Sequence, residues 1–180
     1  MSLFTIVYGL LLSELFTSFH KLIRARKIIK WNWLPLLTAW FLFLSIIKNW
    51  WNMAITENNS EKFNIIWFII YGHLVFILYL AVSVVFPDKI QNNRINLKEY
   101  YFQHHRYLWG LIAAASLIPM LISIVTKLIH STPLNITNIF AFIIYLSLIF
   151  VLVISKKYWV HAVLLIFFTL MTLLDIVQII

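Results

Sequence analysis

Two ionisable side chains lie near the middle of long apolar stretches of this chain, where a titratable group is a candidate for function. Glu14 is in the first stretch and His73 is in the third. Such groups cost about 2.5–3.5 kcal/mol to insert into a membrane, and an imidazole near a carboxyl is suited to relaying protons. We therefore expect Glu14 and His73 to share an interior polar site. The structural alternative makes Glu14 a lock between helices and gives His73 a hydrogen bond to a neighbouring hydroxyl or carbonyl.

Glu14 is the first member of a polar stripe. Thr17 and Ser18 follow it by three and four positions, so on a helix the three side chains share one face, and Lys21 and Arg24 continue that face. Lipid would penalise such a stripe. We expect it to face the bundle interior or a wet cavity and to complete the intramembrane polar site.

Three apolar stretches also carry a charged residue near the end that lies away from the basic links, namely Lys48, Lys127 and Asp175. One acid between two bases favours an ion pair or a site for an anionic ligand. The alternative is that the long lysine side chains reach out to water at the membrane surface.

Basic residues and histidines gather in two of the links between apolar stretches, beside several aromatic residues: Arg24, Arg26, Lys27 and Lys30 in the first, and His104, His105 and Arg106 in the second. This composition favours contact with anionic phospholipid headgroups or another anion. The net charge of +8 is interpreted as a signal of membrane topology, and nucleic acid is not expected as a partner.

Small residues that would let two helices approach closely are concentrated in the fourth apolar stretch. Gly110 and Ala114 form a small-xxx-small pair, and Pro119 cannot donate to the carbonyl of Ala115. We expect this face to pack tightly, within the bundle or between subunits of a homo-oligomer.

The elements that carry these residues are six membrane spans. Hydrophobic residues make up 63% of the 180 residues and charged residues 11%, and a spanning helix needs about 20 mainly apolar residues. The predicted fold is all-α: one domain, 1–180, with six transmembrane helices in one compact bundle. The predicted spans are 3–19, 34–54, 63–86, 107–129, 136–155 and 158–179, with an interfacial helix over 97–106 that begins at a capping box of Asn96 and Glu99.

The distribution of basic residues predicts the orientation. Eleven of the fourteen Lys and Arg residues lie in the links after spans one, three and five. Basic links of this kind remain in the cytoplasm. We expect a cell-membrane protein, embedded in the lipid bilayer, with both termini outside.

Several kinds of chemistry find no support in the sequence. The chain has no cysteine, and it lacks HExxH, a glycine-rich phosphate loop and a close acidic pair. No metal, cofactor or catalytic residue is predicted, and an enzyme is the less favoured class. The sequence favours a channel or transporter for an ion, proton or small solute. The alternative is a non-transporting accessory protein, lipid-interacting scaffold or membrane stress or defence effector with a basic cytoplasmic face.

Overall fold

The structure, a computed structural model, describes residues 3–59, 65–87, 94–129 and 136–179. Its elements in chain order are α1 (Leu3–Arg24), β1 (Ile29–Lys30), α2 (Trp33–Asn59), α3 (Ile65–Val85), β2 (Ile95–Asn96), α4 (Leu97–Ile129), α5 (Ile136–Ile154) and α6 (Tyr158–Ile179). All six helices are long and apolar enough to cross a membrane. This confirms the prediction of six helices of membrane-spanning length and the mainly helical character of the chain.

The bundle buries one stripe of each helix and leaves the rest of its apolar surface exposed. On α1 the buried side chains Phe4, Tyr8, Leu11, Leu15 and Leu22 recur every three, four or seven residues, which is the period of one helix face. Large apolar residues remain exposed on all six helices. A water-soluble protein rarely exposes so much apolar surface, whereas lipid accommodates it.

Helix α4 is central to the packing. It lies against α3 and α5, α2 lies against α1 and α6, and α1 also packs on α3. Phe41 of α2, Trp109 of α4 and Phe168 of α6 meet in the middle, with ring centroids 6.1–6.2 Å apart.

The predicted interfacial helix and fourth span form a single helix. α4 contains 33 residues and is therefore about 50 Å long at 1.5 Å per residue, longer than the roughly 30 Å hydrocarbon core of a bilayer. Its first turn is capped by Asn96, whose Oδ1 accepts from the Lys98 amide at 3.2 Å, while its Nδ2 donates to Glu99 Oε1 at 2.7 Å. The helix is therefore longer than a membrane crossing requires.

A short parallel pair of strands joins two of the basic links. Ile29 pairs with Ile95 and Lys30 with Asn96, and the Ile95 amide donates to the Ile28 carbonyl at 3.0 Å. This pair was not predicted from the sequence, because strands of two residues are too short to show an alternation of apolar and polar side chains. We call the end of the bundle that holds these strands the basic end, and the other end the opposite end.

Candidate functional site

A cavity of about 330 Å³ lies among α2, α3, α4, α5 and α6 in the half of the bundle away from the strands, with Leu74 and Leu78 as the α3 residues of its lining. Lys48 and Asp175 line it near the opposite end, and Phe41 and Phe168 line it seven residues deeper on the same two helices. Seven residues of helix correspond to about 10 Å. The cavity therefore extends from the opposite end to near the middle of the bundle.

The mouth of the cavity carries an ion pair. Lys48 Nζ donates to Asp175 Oδ2, and the two side chains are 29% and 53% exposed. The structure thus brings together two of the three charged residues that the sequence grouped at this end. Lys127 is not among the described residues that line the cavity.

The wall below the ion pair carries hydroxyl groups among apolar side chains such as Leu42, Leu78 and Met171, and the hydroxyl protons are already used in hydrogen bonds. Three hydroxyls each donate to the carbonyl four residues earlier in their own helix: Ser45 to Phe41 at 2.8 Å, Ser116 to Ile112 at 2.9 Å and Thr172 to Phe168 at 2.9 Å. Since a hydroxyl has one proton and two lone pairs, each of these oxygens can still accept a hydrogen bond, and Ser116 has the Tyr145 side chain as a second partner. Asn49 also lines the wall, and its Nδ2 donates to the Ser45 carbonyl at 2.8 Å.

Pro119 adds to this acceptor character. It lies within α4 and lines the cavity together with Ala115. Because proline has no amide hydrogen, the carbonyl of Ala115 lacks its usual helical donor.

The predicted close packing at Gly110 and Ala114 is not seen at Gly110 among the described residues. A Cβ atom added to Gly110 would meet nothing within 4 Å, so no neighbouring helix lies close to it there.

Aromatic rings form the floor. Phe41 and Phe168 lie 6.2 Å apart, and Tyr145 of α5 meets Phe168 edge-on at 5.3 Å. Trp109, which is fully buried, lies behind them at 6.1 Å from Phe41 and 6.2 Å from Phe168. The floor separates the cavity from the basic end.

A buried hydrogen-bond network lies directly behind the floor. Trp109 Nε1 donates to the Tyr101 hydroxyl at 2.9 Å, the Tyr101 hydroxyl is 2.8 Å from His161 Nδ1, and His161 Nε2 is 2.8 Å from the Ser155 carbonyl. A carbonyl only accepts, so in the neutral ring His161 Nε2 carries the hydrogen and Nδ1 accepts from Tyr101. Every bond then has one donor and one acceptor. The network joins α4, α6 and the link that precedes α6.

His105 was predicted to contact lipid headgroups, and the structure corrects this. It is 1% exposed and meets the His161 ring edge-on at 5.4 Å. The reason is helical spacing: His105 falls between Tyr101 and Trp109 at intervals of four, so it shares their buried face. Its Nδ1 donates to the Phe102 carbonyl at 2.8 Å, and its buried Nε2 has no hydrogen-bond partner among the described residues.

The structure does not bring Glu14 and His73 together. Glu14 Oε1 accepts from Ser18 at 3.2 Å, and His73 Nδ1 donates to the Ile69 carbonyl at 2.7 Å, so each is bonded within its own helix. The ring contacts Phe4–Phe68 and Phe19–Phe86 fix the register of α1 against α3. In that register the two residues differ in height by about six residues, or about 9 Å.

The polar stripe of α1 also lies differently from the expectation. Ser18 is buried and Glu14 half-buried, but Thr17, Lys21 and Arg24 are exposed on the outside of the bundle. The stripe therefore follows the edge of the α1 contact surface instead of its interior. Thr17 lines an open groove on the outer face of α1.

The remaining basic candidates surround the basic end. Arg106 is exposed and His104 is half-buried, with its Nδ1 donating to the Tyr100 carbonyl at 2.9 Å. The others are all exposed in or near the first basic link: Arg24, Arg26, Lys27 and Lys30. Contact with anionic lipid at these positions stays a prediction.

The hydrogen-bonded set of Tyr101, Trp109 and His161 was not predicted from the sequence. Tyr101 and Trp109 are eight residues apart, two full helical turns, and that spacing could have placed them on one face. Their pairing with His161, 60 residues later, has no local signal. Among the described residues no three His, Cys, Asp or Glu side chains come close enough to hold a metal ion.

Comparison with protein-family models, curated proteins and solved structures finds no match for this chain. Its function therefore has to be argued from the residues and their arrangement.

Proposed function

We propose that this protein is a membrane transporter for a small solute, with its binding site in the cavity among α2, α3, α4, α5 and α6. The observation that carries the proposal is the order of features along the bundle. An ion pair at the mouth is followed by acceptor oxygens, then by an aromatic floor, and then by a buried hydrogen-bond network. A site that is accessible from one end and closed toward the other is what alternating access requires.

The proposed orientation follows from charge. The basic end carries the links rich in Lys and Arg, so the positive-inside rule assigns it to the cytoplasm. The cavity mouth then faces outward, in a cell membrane. The chain in this structure would represent the outward-open state of a transport cycle.

Opening toward the cytoplasm would require the buried hydrogen-bond network of Tyr101, Trp109 and His161, here called the inner network, to break. The Tyr101–His161 bond links α4 to α6, and Trp109 belongs both to the floor and to this network. A movement of Trp109 would therefore disturb both barriers together. His105 Nε2, which is buried and without a partner among the described residues, supplies a hydrogen-bond acceptor beside His161.

Cysteine labelling tests the access that the proposal requires. The chain has no natural cysteine, so Ser116→Cys can be probed with a membrane-impermeant thiosulfonate in right-side-out vesicles. Ser116 lines the cavity, whereas Ser147 is exposed on the outer surface of α5 and provides the matched control as Ser147→Cys. We expect rapid labelling of the first variant and slow labelling of the second. Equal labelling of the two would contradict a water-filled cavity.

Transport itself is tested in two ways. Adding Tyr101→Phe to Ser116→Cys should weaken the inner barrier and produce labelling from inverted vesicles as well. Proteoliposomes should take up at least one member of a panel of neutral, anionic, cationic and zwitterionic small solutes. A protein that labels as expected but moves no solute would be a binding protein and not a transporter.

A second candidate, a lipid-interacting accessory protein, is favoured by a separate groove. A cavity of about 270 Å³ lies between α1 and α2 near the basic end, and its described lining is entirely apolar: Leu15, Phe16, Phe19, Leu36, Ala39, Trp40, Phe43 and Phe86. This lining suits an acyl chain, and the exposed cations nearby suit an anionic headgroup. Enrichment of anionic lipid in protein purified from mixed-lipid membranes, lost in Ala39→Phe, would support this function.

A further inference from the structure

The described lining of the cavity mouth has one positive and one negative side chain. Lys48 and Asp175 are the charged residues among the described lining, and they pair with each other. The net charge of this described lining is therefore zero. A ligand with a net charge would leave an excess charge in a partly desolvated site, which is costly unless it is compensated.

A ligand that carries both charges avoids this cost. Its carboxylate can replace Asp175 at the Lys48 ammonium, and its own ammonium can replace Lys48 at the Asp175 carboxylate. Both protein side chains are partly exposed, at 29% and 53%, so the pair can be reached and opened without unpacking the core. Charge is conserved at every point of the exchange.

The wall next to the pair suits an ammonium group. The hydroxyls of Ser45 and Thr172 donate to backbone carbonyls and keep their lone pairs, and they precede the two charged residues by three positions on the same helices. Three positions along a helix place side chains on the same face. Acceptor oxygens therefore lie immediately below the charges.

The floor suits an apolar side chain. Phe41, Tyr145 and Phe168 surround the deep part of the cavity about 10 Å below the pair. The volume of about 330 Å³ lies at the small end of the range of about 300–1,000 Å³ typical of ligand pockets. We propose, on the basis of the function proposed above, that the solute class is a zwitterionic amino acid with an apolar or aromatic side chain.

Three probes of nearly equal shape separate the charge requirements. L-phenylalanine carries both groups, 2-phenylethylamine lacks the carboxylate, and 3-phenylpropanoate lacks the ammonium. We expect L-phenylalanine to bind the purified protein at least about tenfold more tightly than either analogue, measured by equilibrium dialysis, and to enter proteoliposomes. Equal binding of the three, tighter binding of a single-charge analogue, or no binding of L-phenylalanine would each overturn the proposal.

Variants of the pair test the residues. Lys48→Met and Asp175→Asn should each weaken L-phenylalanine binding at least about tenfold, and the exchanged double variant Lys48→Asp with Asp175→Lys should recover most of it. Lys127→Met is the control, since Lys127 is not among the described lining residues. Unchanged binding in both single variants would contradict the assignment.

The failures of the two proposals can be told apart. If Ser116→Cys is labelled from outside and only another solute is transported, the cavity remains the proposed transport site and the assignment of a zwitterionic solute is wrong. If Ser116→Cys is not labelled, the proposed transport function is wrong.

Discussion

Replacing Tyr101 by phenylalanine removes one oxygen atom from the inner network and leaves the ring in place. The Tyr101 side chain is 2% exposed, and its hydroxyl accepts from Trp109 at 2.9 Å and donates to His161 at 2.8 Å. Both partners then become buried polar atoms without this bond. An unsatisfied buried group costs about 1–3 kcal/mol, so we expect the free energy of unfolding to fall by about 2–5 kcal/mol.

Thermal unfolding in mild detergent, followed by tryptophan fluorescence, measures this effect. For a chain of this size about 1 kcal/mol lowers the Tm by about 2–4 °C, so Tyr101→Phe should melt roughly 5–15 °C below the parent. Tyr107→Phe is the matched control, because Tyr107 lies on the same helix and is 51% exposed. We expect its Tm to change by less than about 2 °C, in keeping with the small effect of most surface substitutions.

A double-mutant cycle then isolates the bond between Trp109 and Tyr101. Trp109→Phe also removes the Nε1 donor, so the destabilisation by the two substitutions together should be less than the sum of the separate effects. Two results would show that the network does not stabilise the basic end. One is a Tm of Tyr101→Phe equal to that of Tyr107→Phe, and the other is strict additivity of Tyr101→Phe and Trp109→Phe.

Three further predictions concern other parts of the molecule. Lys48→Met and Asp175→Asn should each lower the free energy of unfolding by no more than about 1 kcal/mol, the usual contribution of an exposed ion pair, so a Tm shift above about 4 °C would show a structural role for the pair. A reporter at either terminus should be external and one inserted at residue 92 cytoplasmic, and a cytoplasmic C-terminus would contradict the orientation. Gly110→Leu should weaken a homo-oligomer in detergent, because a bulky side chain keeps two helices apart, and the subunit should stay folded, because a side chain at Gly110 meets open space within the chain. Unchanged elution in size-exclusion chromatography would contradict an interface at Gly110.

The helices were predictable because their signal is local. Each span needs only a run of apolar residues, so five of the six predicted spans agree with helix bounds to within a few residues at most of their ends. The fourth differs, since its predicted interfacial segment belongs to the same helix. Asn96 was correctly placed at its start, because a capping side chain acts on amides two or three residues away.

The arrangement of polar residues was less predictable, because it depends on which helix faces which. Glu14 and His73 have comparable sequence signals, but the register of α1 against α3 separates them in height. Lys48 and Asp175 lie 127 residues apart and meet only because α2 packs on α6. His105 shows that a histidine in a basic tract can lie on the buried face of its helix.

Trp109 limits how strongly the proposed cavity and the inner barrier can influence each other. Its ring packs against the floor residues Phe41 and Phe168. Its Nε1 donates to the Tyr101 hydroxyl, which in turn donates to His161. In the proposed cycle, a solute that displaces the floor rings would act on the barrier through this one side chain. One buried hydrogen bond is worth about 1–3 kcal/mol when it is lost, which corresponds to a shift of about 5–150-fold between two states. In that cycle, a coupling of this size would favour inward opening with solute bound only where the resting preference for the outward-open state is smaller than about 1–3 kcal/mol.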